Sequence, residues 1–220
     1  MATIGSMAST MPGASFGPYK LSEPRASVTL GERGLALEEL TAGAYSGKLQ
    51  LAARLEQAAS PRFAATLSLT DVDAPALADA ARGGAGDGLI GALAELVYPA
   101  GVGLLSGKLS ATLAAAGEGA SIATLAAALS GTTRIALTDA TLDQFDLCAL
   151  AGGLGALGAS DTAEALLARA SQGGTKLKDL SIEMPIANGV ARLADQSVAA
   201  DCGDVTLSGT IDLGRWTQDL

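Results

Sequence analysis

The chain has 220 residues, 49% hydrophobic but only 3% aromatic, and 14 Lys and Arg against 23 Asp and Glu give a formal charge of −9. That charge repels phosphate backbones, and no basic cluster is interleaved with aromatics, so nucleic acid is not an expected partner. The absence of histidine removes the commonest general base, nucleophile activator and metal ligand together, so the chain reads as non-catalytic and without cofactor.

Met1 to Pro18 is rich in Met, Ser, Thr, Gly and Pro. It has neither the basic start and apolar core of a signal peptide nor the length of an anchor, so residues 1–25 read as a disordered or tag-like segment ahead of one domain over 26–220. From Gly47 the odd positions Leu49, Leu51, Ala53 and Leu55 alternate with Lys48, Gln50 and Arg54, the period of a strand wet on one side. Phe63, Ala65, Leu67 and Leu69 repeat the pattern. Asp73 before Pro75 and Leu77 starts a helix with proline in its tolerated first turn. Gly83 to Gly88 reads as a connection. The run from Gly88 to Gly107 is interrupted by Glu95 and Pro99, so it reads as a buried or interfacial helix rather than a bilayer span.

Alternation resumes with Leu109, Ala111, Leu113 and Ala115. Ser121 followed by Ile122, Leu125 and Leu129, and closed by Gly131, predicts a capped helix. Ile135 and Leu137 belong to another strand, Gly152 to Gly158 to a second glycine-rich connection, and Ser160 to Arg169 to a further helix ended by Gly173 and Gly174. The carboxy-terminal strands carry Leu180, Ile182, Met184 and Ile186, then Val190 to Leu193, then Val205, Leu207, Ile211 and Leu213, with Asn188-Gly189 as a hairpin turn. The Ser-Gly phrases at Ser46, Ser106, Ser130 and Ser208 are irregularly spaced and set no solenoid period. The expected fold is mainly β (β-rich α+β): an antiparallel amphipathic sheet with short helices between strands or at its end.

Acidic phrases at Asp71-Val72-Asp73, Asp139 to Asp146 and Asp201 to Asp204 lack calcium-loop spacing and suit turns and caps, so no metal site is expected. The glycine-rich patches lack the lysine of a phosphate loop. Cys148 and Cys202 are too few for zinc; they read equally as a disulfide or as two buried thiols.

Leu129-Ser130-Gly131, Ile135, Leu137, Asp139, Leu142 and Phe145-Asp146-Leu147, continued by Gly174-Thr175, Leu180, Asn188-Gly189-Val190, Asp195 and Leu207 to Leu213, form an ordered pattern that resembles the carboxy-terminal region of AsmA-family proteins. Leu35 to Leu55 and Phe63 to Leu77 resemble the preceding family repeats, so the likeness covers roughly residues 26–215. It implies a curled β-groove that shields phospholipid acyl chains, in the periplasm, on a parent protein anchored in the inner membrane, serving lipid transport towards the outer membrane and envelope biogenesis. The anchor is absent from this chain, which reads as a piece of such a protein. The expected groove lining is Leu49, Leu51, Leu67, Leu69, Leu109, Leu113, Ile135, Leu137, Leu180, Ile182, Leu207 and Ile211. The same alternation equally serves an ordinary packed core. The expected ligand is a phospholipid or other acyl chain; the alternative is a structural module whose sheet edges dock a β-rich envelope protein.

Overall fold

A computed structural model describes residues 3–10, 12–16, 19–83, 105–155, 163–213 and 217–219. Its strands are β1 (Thr3–Thr10), β2 (Gly13–Phe16), β3 (Tyr19–Gly31), β4 (Gly34–Ala44), β5 (Gly47–Glu56), β6 (Arg62–Asp73), β7 (Leu105–Glu118), β8 (Ser130–Asp143), β9 (Gly174–Lys176), β10 (Leu180–Ala187), β11 (Val190–Ala200), β12 (Gly203–Asp212) and β13 (Thr217–Asp219). Between them lie α1 (Ala74–Gly83), α2 (Ile122–Ala127), α3 (Leu147–Gly155) and α4 (Ala163–Ala170).

All the strands join one 13-stranded sheet in the order β1-β3-β4-β5-β6-β7-β8-β10-β11-β12-β13, with β2 beside β3 and β9 beside β8. Every pairing is antiparallel. Among the described residues no pairing joins β1 to β13, so the sheet is open. The mainly β expectation holds, and its physical basis is the period-two alternation: β10 reads buried and exposed in strict turn from Leu180 to Ala187.

The register slips by one residue inside six strands, and a bulge absorbs each slip; in β1 the extra residue is Ile4, since Thr3 pairs with Gly31 and Gly5 with Leu30. In β6 the apolar positions run Leu67, Leu69 and then Val72. Leu69 pairs with Ala111 and Val72 with Leu109, so Thr70 and Asp71 together face Ser110. In β8, Asp139 and Ala140 face Gly107. Glu23 and Pro24 of β3 face Ala42, Glu38 and Glu39 of β4 face Ala52, and Ala194 and Asp195 of β11 face Ser208. An acidic residue sits at each of the other five bulges, and Glu23, Asp71 and Asp139 have φ of 47, 54 and 53°. The left-handed region is open to short polar side chains more readily than to apolar ones, and the Asp71 amide donates to Ser110 Oγ at 3.1 Å. Bulges bend a strand and raise its local twist.

The helices follow their caps. Ser121 caps α2 through a capping box with Thr124; Asp73 Oδ1 accepts from Ala76 N at 3.1 Å at the start of α1, and Asp146 Oδ1 from Ala149 N at 2.8 Å at the start of α3. Asn188 and Gly189 have φ of 51 and 73°, the two-residue primed hairpin that their sequence predicts. A Cβ at Gly189 would run into the backbone of Ala126 and Ala127, so the tip of this hairpin sits against α2.

Three expectations need correction or fall outside the described residues. Residues 1–25 contain β1, β2 and the first part of β3, paired through their backbones rather than forming a disordered or tag-like segment. Gly152 to Gly155 lie in α3, where Gly153 faces the tip of the Leu166 side chain of α4. Residues 84–104, which hold most of the Gly88 to Gly107 run, the remainder of both glycine-rich connections, and the Ser160 cap lie outside the described residues.

The cysteines pair. Cys148 of α3 and Cys202 of the β11–β12 turn form a disulfide with a Cα–Cα distance of 5.4 Å across 54 residues. The same corner is tied by buried Thr175, whose Oγ1 accepts from Leu147 N at 2.8 Å and donates to Phe145 O at 2.7 Å. These ties fix the α3–α4 pair to the end of the sheet.

Candidate functional site

Cross-strand partners share a face, so the register assembles the apolar side chains into rows. One row runs Ala26, Leu40, Leu51, Leu67, Leu113, Thr133, Met184 across β3 to β10. The next runs Ala42, Leu49, Leu69, Ala111, Ile135, Ile182, and the one beyond it Val72, Leu109, Leu137, Leu180. In the other direction lie Met7, Val28, Leu37, Ala53, Ala65, Ala115, Gly131, Ile186, Ala191, Ile211. The outermost row is Leu30, Leu35, Leu55, Phe63.

All the residues expected to line a groove therefore share one face and one cluster. Leu67, Leu69, Leu109, Leu113, Ile135, Leu137, Leu180, Ile182 and Ile211 are buried core, while Leu49, Leu51 and Leu207 are half-buried and pack against it. α1 adds Ala74 and Leu77 to the same cluster. Leu137 is 1% exposed. Over the middle of β6 to β11 the face is thus a closed core, with Ala65, Ala115 and Leu207 half-buried at its margins.

The face is not closed everywhere. Exposure rises towards β3 and towards the strand ends: Ala53, Ala65 and Leu37 are half-buried, and Leu30, Leu35 and Leu55 are 49, 46 and 46% exposed. Met7 on β1 is 74% exposed. Among the described residues five large hydrophobics stand exposed, and of these only Leu167 on α4 lies away from this corner. Sequence reasoning identified Leu49 and Leu51 at its inner boundary but missed Leu30, Leu35 and Leu37. The signal was present as alternation within β3 and β4, hidden by the frame slips at Glu23 and Glu38.

No protein-family model, curated protein or solved structure matches the chain. The family resemblance therefore rests on the sequence pattern alone.

The opposite face is carpeted with small and polar side chains. Ala52, Thr66, Ala114 and Thr132 form one of its cross-strand rows and Gln50, Ser68, Thr112, Arg134 and Glu183 another. Because these side chains are short, the surface dips into adjoining depressions of about 670, 510 and 500 Å³. Ion pairs edge this face, Arg134 to Glu183 at 2.6 Å, Arg62 to Glu118 at 3.5 Å and Lys108 to Asp73 at 3.5 Å. Being exposed, such pairs add little stability.

Burial, and then the neighbouring Tyr45, raises the Tyr19 phenol above its ordinary range, which keeps it a neutral hydroxyl beside the core. Among the described residues no group of three or more His, Cys, Asp or Glu could hold a metal ion, and no helix is long and apolar enough to cross a membrane.

Proposed function

We propose that this chain is a non-catalytic lipid-handling module that lays a phospholipid acyl chain on the open part of its apolar face. One observation carries the reading: a single continuous aliphatic face is buried over the middle of β6 to β11 and opens towards the β3–β4 turn and the β5–β6 loop, where Leu37 and Ala53 are half-buried and Leu30, Leu35 and Leu55 exposed. From Leu55 to Leu49 the strip runs about 20 Å at ~3.3 Å per residue, exposed at Leu55 and half-buried at Leu51 and Leu49, a length that matches the roughly 15 Å of hydrocarbon in one leaflet. Covering acyl carbon there is worth ~0.8 kcal/mol per CH2. Leu30, Leu35, Leu37, Leu51 and Leu55 would touch the chain, and the buried leucines expected as lining would form the wall behind it.

The disulfide supports an oxidising compartment, in keeping with a periplasmic site for the lipid-handling role that the AsmA resemblance implies. In that setting the module would pass phospholipid towards the outer membrane on a parent held at the inner membrane. The open sheet favours a second reading, a structural module docking a β-rich envelope protein along β1, where no charged residue precedes Lys20 to discourage pairing.

Native mass spectrometry after gentle extraction separates the two. Co-purifying phospholipid that is lost in Leu37→Asp, with a thermal midpoint well above that of Leu137→Asp, is the expected result. A parent chain free of lipid would favour edge docking.

A further inference from the structure

The exposed leucines lie where the strands end. Leu30 immediately precedes the β3–β4 turn, Leu35 follows it, and Leu55 approaches the β5–β6 loop. These tips are tied side by side: Gln57 N donates to Arg33 O at 2.6 Å and Gly119 N to Pro61 O at 3.0 Å. The result is one rim of the sheet with Leu30, Leu35 and Leu55 in register and Phe63 continuing the row.

We infer that this rim is a membrane-docking edge that dips its leucine row into the interfacial zone of a phospholipid bilayer. The choice of occupant follows from size and charge. Three leucines, each already about half covered, offer far less than the ~800 Å² per partner of a stable protein interface. A row of four residues across adjacent strands is ~15 Å wide, and a shallow apolar ridge of that kind suits the 5–10 Å depth of an interfacial insertion. The charges around it balance: Arg33, Arg54 and Arg62 stand with Glu32, Glu56 and Glu118, in a chain whose formal charge is −9. The rim is the neutral end of an acidic molecule, so it approaches a zwitterionic surface without repulsion and gains nothing from anionic lipid.

The inference rests on the lipid-handling reading for its purpose, since the docked row leads directly into the row of Leu37 and Ala53 and then to Leu51. An acyl chain leaving the bilayer would meet apolar side chains at every step.

The test is flotation of the full chain with phosphatidylcholine vesicles, with and without phosphatidylglycerol, at low and high salt. Binding to phosphatidylcholine that neither anionic lipid nor low salt improves is expected. The combined Leu30→Ser, Leu35→Ser and Leu55→Ser variant should partition roughly tenfold less or weaker still, while Leu167→Ser, at the exposed leucine of α4, should bind as the parent does. Circular dichroism checks that the triple variant keeps its strands. No binding by the parent, binding confined to anionic vesicles and abolished by salt, or equal loss with Leu167→Ser would overturn the inference, as would a dimer that the triple variant dissolves without any vesicle binding. Lipid-free parent that still floats through its leucine row would sink lipid carriage and leave docking standing. Lipid-bearing parent that does not float would do the reverse.

Discussion

Strands β3 to β5 and strands β6 to β12 are written in the same alphabet of alternating leucine and small polar residues, yet the first set ends in an exposed rim and the second holds most of the core. Leu35 and Leu67 both alternate with polar neighbours, but Leu35 is 46% exposed and Leu67 8%. The difference does not come from hydrophobicity. It comes from position in the sheet: α1 packs against the deep end of the face, and α2 lies over Gly117 and the tip of the β10–β11 hairpin. Amphipathic alternation specifies which face is apolar; neighbours decide whether that face is filled.

The sharpest way to break the comparison is to place the same charge on each side of it. Leu137→Asp buries an unpaired carboxylate in the closed core and should cost several kcal/mol, on the order of 4. Leu35→Asp changes a half-exposed rim position and should cost about 1 kcal/mol or less. Thermal or urea melts of the two variants check this, and equal losses would mean that the rim is as closed as the core.

The disulfide tests how far the closed part depends on its corner. Cys148→Ser with Cys202→Ser should lower stability by about 2–4 kcal/mol through the unfolded chain, while lipid retention and vesicle binding stay at parent levels. Loss of lipid at full stability would place the ligand near α3 instead of β3 to β5. A smaller effect is expected at the cap of α2. Ser121→Ala removes the capping-box acceptor of Thr124 N at 3.2 Å and should cost about 1 kcal/mol, read as a small drop in the denaturation midpoint with the sheet unchanged.

Much of the fold was legible because its signals are local. Asn188-Gly189, Ser121 and Asp73 each act within a few residues, and all take the turn or cap roles that their chemistry predicts. The bulges were not legible, since a frame slip such as Leu69 to Val72 looks like the end of a strand unless the partner strand is known. For the same reason Asp71, Asp139 and Asp195 could not be recognised as bulge residues. β1 and β2 were hidden by a composition typical of loops. α3 was hidden by Gly152 and Gly153, which weaken a helix in isolation; of the two, Gly153 faces the Leu166 side chain of α4. For the site, alternation identified the apolar face and all the expected leucines on it, but exposure depends on packing between distant segments and left no local mark.

The most direct measurement is photo-crosslinking with a phosphatidylcholine that carries a diazirine in its acyl chain, mapped by mass spectrometry of the digested chain. Adducts should concentrate on β3 to β5, at Leu30, Leu35, Leu37, Leu51 and Leu55, and be sparse on β8 and β10, where Ile135, Leu137 and Ile182 are sealed. Adducts spread over the polar face, concentrated on the buried strands, or absent altogether would contradict an acyl site on the open end of the sheet.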